Sequence, residues 1–177
     1  MTFSIRLATQ SDRAALTTLM ETSINRMQRD FLTPAQIAAS HAVMGLDEQL
    51  IADRTYYLVE QGDRLAGSGG WSRRATLYGG DHSIALRDAR LLDPALEPAR
   101  IRAMYTHPDF ARQGVGRMIL DNCEAAAVGE GFTRLELMAT LAGEPLYSAR
   151  GYRAIERLNS APFDGVTVPL VRMTRDV

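Results

Sequence analysis

Lysine is missing from this chain, and its absence narrows the possible functions. All 20 basic residues among the 177 are arginine. A P-loop nucleotide hydrolase needs a phosphate-binding lysine, a protein kinase needs a strand lysine, and a pyridoxal-phosphate enzyme needs a Schiff-base lysine. The sequence therefore excludes these three classes of enzyme.

Cysteine is almost absent as well. Cys123 is the only one, which excludes an internal disulfide and a cysteine-rich metal site. The alanines at positions 125, 126 and 127 lie in the same helical pattern. We therefore predict that Cys123 is a buried helical thiol, and a nucleophilic cysteine is the alternative.

The chain also lacks a surplus of positive charge and any long apolar run. The formal net charge is −1 and the isoelectric point is near 6.3, so nothing at the level of the whole chain favours nucleic acid or an anionic membrane as a partner. No apolar stretch approaches the length of a membrane span, and the first residues lack a signal-peptide pattern. We expect one domain over residues 1–177 and a cytoplasmic location.

Hydrophobic periodicity predicts strands that alternate with helices. The predicted strands cover residues 3–8, 55–60, 65–71, 100–106, 132–139, 152–158 and 166–174. The predicted helices cover residues 11–28, 34 toward 51 with an interruption at Gly45, 118 to about 129, and 145–149. Residues 72–98 carry turn signals and little periodicity, so we expect a loop excursion there.

The most informative segment is residues 112–117, which read Arg-Gln-Gly-Val-Gly-Arg between a predicted strand and a predicted helix. The first four N–H groups of a helix have no intrahelical partner and its dipole is positive there, so this arrangement can bind a phosphate. Gly114 and Gly116 allow the backbone to approach such an anion closely, because neither carries a Cβ atom.

Three phosphate-containing ligands compete for this turn. A dinucleotide needs a third glycine where Ile119 stands, although Glu136 satisfies the acidic position about twenty residues later. A nucleoside triphosphate in a P-loop needs the missing lysine. The pyrophosphate of coenzyme A accounts for more of the chain.

Two motifs resemble those of the GNAT superfamily of acyl-coenzyme A-dependent N-acetyltransferases. The first, MYTHPDFARQGVGRMIL, is similar to the family's [QR]-x-x-G-x-[GA] acetyl-coenzyme A motif, with Ala111 at the first position and Arg112 one place later. The second, PLYSARGY, is similar to Y-x-x-x-G-[FY], with Tyr147 as its tyrosine. Thr140 stands where the family often has asparagine. The order of elements also matches over nearly the whole chain.

This resemblance implies a fold and a co-substrate. The implied fold is α/β (α+β), with a mixed, mostly antiparallel central sheet of about six to seven strands that splays at the cofactor site and is flanked by about four helices. Acetyl-coenzyme A is the implied co-substrate, and no metal is required. Strand backbone before the glycine turn would pair with the pantetheine arm. The implied cofactor-binding residues are Met104, Tyr105, Thr106, Arg112, Gln113, Gly114, Val115, Gly116, Arg117 and Thr140.

The implied reaction moves an acetyl group to a primary amine by direct attack in a ternary complex. A phenol with a pKa of about 10 can protonate a leaving thiolate with a pKa of about 8.5, so Tyr147 is predicted to be the general acid. The alternative is a tyrosine that only packs a short helix against the sheet. The base that deprotonates the amine stays open among Glu21, Asp81, His82, His107 and Glu136.

The acceptor is expected to be a small-molecule or peptide amine, and the sequence does not name it. Trp71, Arg73, Arg74 and Tyr78 follow a strand that should border the acceptor groove, although an exposed loop explains them equally well. Transfer of another acyl group, a hydroxyl acceptor, and a non-catalytic acyl-coenzyme A-binding regulatory module are alternative functions. A homodimer is also open.

Overall fold

The computed structural model describes residues 2–177, and these residues form seven strands and five α-helices. The strands are β1 (Ser4–Leu7), β2 (Tyr56–Gln61), β3 (Arg64–Ser72), β4 (Ala99–Thr106), β5 (Arg134–Thr140), β6 (Arg153–Asn159) and β7 (Pro169–Asp176). The helices are α1 (Arg13–Met27), α2 (Pro34–Val43), α3 (Glu48–Ala52), α4 (Val115–Gly129) and α5 (Glu144–Ala149).

All seven strands join one sheet in the order β1-β2-β3-β4-β5-β7-β6. Every neighbouring pair is antiparallel except β4 and β5, which are parallel. The helix α4 connects these two parallel strands, as a crossover between parallel strands requires. The predicted mixed, mostly antiparallel α/β sheet is therefore confirmed.

The helix count is five, where about four were expected, because the predicted second helix is two helices. The start of α2 follows the predicted capping box, in which the Gln36 N–H donates to Thr33 Oγ1 at 3.2 Å and the Thr33 N–H donates to Gln36 Oε1 at 3.0 Å. Gly45, with a φ of +154°, lies in the break that follows. Asp47 then caps α3 by accepting the Gln49 N–H at 3.1 Å, so a new helix begins.

The two faces of the sheet carry different helices. Leu16 of α1 and Leu50 of α3 share a buried cluster with Tyr56 of β2, whereas Ile119 and Cys123 of α4 belong to the main core cluster on the other face. Cys123 is fully buried, as predicted, and burial raises the pKa of its thiol well above the usual range. A thiol in this state is a packing residue rather than a nucleophile.

Glycines on β3 explain how α4 comes so close to the sheet. A Cβ atom at Gly67 would lie 2.5 Å from a methyl carbon of Val115, and one at Gly69 would lie 2.7 Å from a methyl carbon of Ile119. Both distances are too short for real carbon atoms, so only glycine permits this packing. The first turn of α4 is thereby fixed against β3 and beside the end of β4.

The predicted excursion over residues 72–98 crosses the surface with little regular structure of its own. It contains a single 3₁₀ turn, Ile84–Leu86, and an isolated bridge between Arg74 and Leu91. Within residues 2–177, no helix is long and apolar enough to cross a membrane.

Candidate active site

The parallel strands β4 and β5 separate shortly after they begin to pair. They are in register only at Ala99 with Leu135 and at Arg100 with Glu136. Beyond these two pairs β4 continues to Thr106 and β5 to Thr140 without pairing with each other. The central sheet is therefore splayed, as expected, and the gap opens toward the carboxyl ends of both strands.

A bulge in β4 lies beside this gap. The register with β3 runs from Tyr105 opposite Ser68 to Arg102 opposite Gly70, so β4 has one extra residue between these pairs. Ala103 in the bulge has a left-handed φ of +53°, which is unfavourable for alanine and requires support. The Tyr56 hydroxyl supplies it by donating to the Ala103 carbonyl oxygen at 3.3 Å.

The end of β4 presents backbone groups to the gap. The His107 N–H donates to the Ala66 carbonyl oxygen on the β3 side at 2.9 Å. Because backbone groups alternate in direction along a strand, those of Thr106 and Met104 point to the opposite side, where β5 has moved away. This edge can accept an extended ligand in place of a strand.

The glycine turn leads directly from this strand end into α4. Arg112 has a φ of +64° and Gly114 a φ of +89°, and no side chain in the described part of the chain caps the helix. The first helical bond runs from the Met118 N–H to the Gly114 carbonyl oxygen at 2.9 Å. The preceding N–H groups are thus available to an anion.

The side of this turn nearest the gap is tightly packed. A Cβ atom at Gly116 would lie 2.9 Å from a methyl carbon of Leu146 in α5 and 3.9 Å from Thr106 Oγ1. The end of β4, the start of α4 and the helix α5 therefore meet at Gly116. The side chains of Arg112, Gln113 and Arg117 are exposed around the turn.

Tyr147 on α5 faces the same region from the far side. Its ring packs edge-on against Tyr152 at 5.9 Å between centroids, and the residue is buried. Burial raises the pKa of its phenol well above the usual value, with further contributions from Cys123 and Tyr105. The hydroxyl is consequently protonated at any physiological pH, as a proton donor requires.

A cavity of about 110 Å³ lies where the strands separate. Its lining brings together Met104 and Tyr105 of β4, Thr140 of β5 and Tyr147 of α5. The Thr140 hydroxyl accepts the Gly143 N–H at 3.1 Å and thereby shapes the turn before α5. Four of the predicted site residues therefore line one cavity, and the remaining ones, Thr106 and residues 112–117, lie at the adjoining strand end and helix start.

None of the five candidate bases is among the residues that line this cavity. Glu21 is exposed on α1, and the Asp81 carboxylate accepts the Glu48 N–H at 3.1 Å. Glu136 is bound by Arg172 at 2.5 Å and by Arg100 at 3.2 Å at the closed end of the gap.

The two histidine candidates are also bound to backbone groups. His82 Nε2 lies 3.0 Å from the Ala42 carbonyl oxygen, to which it donates in the tautomer with hydrogen on that nitrogen. His107 Nδ1 accepts the Asp109 N–H at 3.2 Å at the start of the glycine turn. Both imidazoles thus form hydrogen bonds with the backbone, and neither lines the cavity.

The expectation that Trp71, Arg73 and Arg74 border the acceptor groove is wrong, because all three belong to other contacts. Trp71 is in the core, edge-on to Phe132 at 6.1 Å. Arg73 lies over the Trp71 ring and pairs with Glu130, and Arg74 pairs with Asp53 at 2.7 Å. Tyr78, by contrast, does line the cavity.

Sequence reasoning missed the charged cluster under the outer wall of the cavity. Asp47 is almost fully buried, and its carboxylate binds Arg102 of β4 at 2.8 Å and Arg87 of the excursion at 3.0 Å. Arg102 also donates to the carbonyl oxygens of Thr76 at 3.1 Å and Gly79 at 2.6 Å. No local motif signals this cluster, because its members lie 40 and 55 residues apart in the chain.

The overall fold of this chain occurs in known structures. A GCN5-related N-acetyltransferase from Rhodopseudomonas palustris superposes with a TM-score of 0.72 at 20% identity, covering 100% of this chain and 97% of that one. The PaiA N-acetyltransferase of Thermoplasma acidophilum, solved with coenzyme A, gives 0.66 at 12% identity with full coverage of both chains (100% and 100%). YncA of Salmonella typhimurium, solved with its cofactor acetyl-coenzyme A, gives 0.63 at 17% identity, covering 99% and 94%.

At these low sequence identities, the structural similarity establishes the fold alone. The family is established by a sequence match. Residues 22–152 match the model of the Acetyltransferase (GNAT) family. No curated protein sequence matches the chain. The chain belongs to the GNAT acetyltransferase family.

Proposed function

We propose that this protein transfers an acetyl group from acetyl-coenzyme A to a primary amine by direct attack within a ternary complex. The observation that carries the proposal is the gap between β4 and β5. It opens between an uncapped helix start and a buried tyrosine, so that a phosphate site, a strand-like channel and a proton donor adjoin one another.

The residues present fit coenzyme A. The free N–H groups at the start of α4 suit its pyrophosphate, because the positive end of the helix dipole lies there. Leu146 approaches Gly116 closely, so that a side chain at this position would require Leu146 to shift within the cradle. The backbone of Met104 and Thr106 would hold the pantetheine amides as a neighbouring strand would.

Bound acetyl-coenzyme A would supply the activated thioester carbonyl. Tyr147 is proposed to donate its phenolic proton to the departing sulfur, because burial keeps that phenol neutral and it lines the cavity at the open end of the gap. The attacking nitrogen loses one proton as the amide forms, and this proton returns to the Tyr147 oxygen, which restores the phenol as free coenzyme A leaves. The Ala103 bulge alters the direction of backbone groups there, which can place an N–H where negative charge develops.

The amine must lose a proton before it attacks. No carboxylate or imidazole is among the lining residues in the described part of the chain. We therefore propose that solvent removes this proton before the amine enters the cavity, so that the enzyme selects the neutral form.

Location and assembly are further parts of the proposal and rest on the sequence alone. A cytoplasmic location is proposed from the sequence pattern, and a homodimer is the proposed assembly if the chain associates. Neither the location nor the assembly is needed for the chemistry proposed at the gap.

The experiment compares coenzyme A, acetyl-coenzyme A and NADH as stabilising ligands. A ligand at 100 times its dissociation constant adds about 2.7 kcal/mol to the free energy of unfolding. Both coenzyme A species should raise the unfolding midpoint, and NADH should not. A shift with NADH alone would contradict the proposal.

Release of free thiol from acetyl-coenzyme A then tests transfer itself. Thiol release that depends on an added amine, together with mass-spectrometric detection of the acetylated amine, is the expected result. Coenzyme A binding without release on any amine would favour the non-catalytic regulatory module. Release with an alcohol instead would favour a hydroxyl acceptor.

A further inference from the structure

We propose that the acceptor is a small primary amine on an apolar body, rather than a polyamine or a protein chain. This inference rests on the proposed acetyl transfer and concerns the opposite side of the same cavity. It follows from three observations: the side chains that line the wall, the charges behind it, and the contacts that close its flanks.

The wall of the cavity away from the glycine turn is apolar and aromatic. It is formed by side chains from the end of α2, the α2–α3 connection, the excursion, β5 and β7. These are Val43, Met44, Leu77, Tyr78, Met138 and Leu170. An acceptor that buries hydrocarbon or an aromatic ring against these side chains gains from the removal of both surfaces from water.

The only charged side chain in this lining is Arg102, and its partners are already supplied. Its guanidinium binds the Asp47 carboxylate and two backbone carbonyl oxygens, those of Thr76 and Gly79. The Asp47 carboxylate also accepts two hydrogen bonds from the Arg87 guanidinium, each of 3.0 Å. The Asp47 carboxylate is thus bound by two arginines.

A second ammonium group in the acceptor would therefore meet an unfavourable environment. It would enter a lining without a carboxylate and lie near the cation of Arg102. Burying an unpaired charge is costly, and a like charge nearby adds to the cost. Diamines and polyamines should consequently be poor acceptors.

One flank of the wall is closed by the excursion. The Asp81 N–H donates to the Leu46 carbonyl oxygen at 2.8 Å, and the Ser83 hydroxyl and His82 both contact the Ala42 carbonyl oxygen. Backbone contact is direct here, since a Cβ atom at Gly80 would lie 3.0 Å from the Leu46 carbonyl oxygen. Residues 80–83 are therefore fastened to the α2–α3 connection.

The other flank is closed by α2. Leu32, just before α2, and Ala39, within it, share a buried cluster with Val168, just before β7, and Leu170 of β7. Gln36 Nε2 also donates to the Thr167 carbonyl oxygen at 3.5 Å. An extended peptide acceptor needs about 3.3 Å of free space for each residue beyond its reacting amine. The packed contacts on both flanks occupy that space.

The test measures kcat/KM for thiol release from acetyl-coenzyme A with three amines. They are 2-phenylethylamine, putrescine and a short peptide with a free N-terminal amine. We expect 2-phenylethylamine to exceed the other two by at least about tenfold. It should also raise the unfolding midpoint of the coenzyme A complex, which reports binding without turnover.

A carboxylate placed in the wall should change the preference. Leu77→Asp is expected to raise the ratio of putrescine to 2-phenylethylamine activity by about tenfold, and Met44→Glu provides a second variant should Leu77→Asp fail to fold. Leu91→Asp is the matched control, because Leu91 is exposed on the same excursion and outside the lining. It should leave the ratio unchanged.

The outcomes separate the two proposals. Faster reaction of putrescine or the peptide in the wild-type protein overturns the acceptor inference and leaves acetyl transfer intact. The inference is also overturned if 2-phenylethylamine neither reacts nor shifts the midpoint of the coenzyme A complex. Failure of coenzyme A itself to bind would instead contradict the proposed function.

Discussion

The two halves of the cavity are built in different ways. The half proposed for the cofactor (the cofactor half), formed by the end of β4, the glycine turn and the start of α4, uses backbone groups and a glycine, Gly116, that packs closely against Leu146. The acceptor half, formed by residues 42–47 and 76–87, is held by side-chain ion pairs such as Asp47 with Arg102. Backbone recognition suits a co-substrate of fixed structure, whereas side chains can vary with the acceptor.

This difference means that the halves should respond separately to substitution. A change in the cofactor half should alter the binding of coenzyme A or the chemical step. A change in the acceptor half should alter the use of the amine.

The largest effect is expected at Tyr147, where the halves meet. Tyr147→Phe keeps the ring and removes the proton, so kcat should fall by about 10²–10⁴-fold, the usual contribution of a general acid. Coenzyme A affinity should change little. Stopped-flow or steady-state thiol release measures the first quantity, and calorimetric titration measures the second.

Tyr152→Phe is the matched control for that substitution. The Tyr152 hydroxyl donates to Glu124 Oε1 at 3.0 Å, so its loss should cost about 1–3 kcal/mol of stability. Its kcat should stay close to that of the wild-type protein. Equal losses of kcat in both variants would show that Tyr147 only packs.

Asp47→Asn should weaken the acceptor half. The buried Arg102 and the partly exposed Arg87 would lose their anionic partner, and breaking a buried ion pair typically costs about 3–5 kcal/mol in unfolding free energy. We expect a higher KM for the amine with an unchanged KM for acetyl-coenzyme A, since the gap and the turn are not altered. Chemical denaturation and two-substrate kinetics measure these changes.

Glu97→Gln provides the comparison, on the excursion that also carries Arg87. It removes an ion pair between Glu97 and Arg90, both of which are largely outside the core. Because solvent screens such pairs, we expect no resolvable change in stability or in either KM. If Asp47→Asn raised the KM for acetyl-coenzyme A and Glu97→Gln did not, the two halves would not respond separately to substitution. That result would contradict the proposed division.

The pH dependence should follow the amine rather than the protein. If no side chain acts as the base, kcat/KM for the amine should rise about tenfold per pH unit below the amine pKa of about 10. The raised pKa of Tyr147 keeps that phenol protonated over this range, so it should cause no loss of activity there. A plateau that begins near pH 7 would instead reveal a base on the protein.

Gly116→Ala should weaken coenzyme A binding by about tenfold, because the added methyl group would meet Leu146 in the cradle. Gly129→Ala, at the other end of α4, is the control, since nothing lies within 4 Å of its added Cβ atom. It should leave the affinity unchanged. Calorimetric titration with coenzyme A measures the affinity of each variant. Equal affinities in the two variants would contradict the proposed cradle at Gly116.

The smallest effect is expected at Cys123. Its thiol is fully buried and its pKa is raised by burial, so alkylating reagents should not modify it in the folded protein. Cys123→Ala should cost about 1 kcal/mol and keep kcat, because one small buried group is lost. Rapid labelling of the native protein accompanied by loss of activity would assign it a role in the reaction.

The cofactor half could be predicted from the sequence because its signals are local. Residues 112–117 specify a turn and a helix start within six positions, and the periodicity of the flanking segments identifies β4 and α4. The splay, by contrast, was predicted only from the family resemblance. The register at Ala99 and Arg100 could not be derived from local sequence, because it depends on how two distant strands pack.

The acceptor half could not be predicted because its contacts are distant in sequence. Asp47 meets Arg87 and Arg102 only after the chain has folded, and each would be classed as a surface charge by composition alone. The prediction for Trp71 failed for a related reason. An aromatic residue at the end of a strand fits both a groove and a core, and only packing against Phe132 decides.

We propose above that coenzyme A binds along the end of β4 and at the start of α4. The most direct measurement is a titration of isotope-labelled protein with coenzyme A, followed by backbone amide chemical shifts. The largest changes should occur at Met104, Thr106 and residues 112–117, and the exposed edge strand β6 should be unaffected. Changes centred elsewhere, with these amides unmoved at saturation, would contradict it.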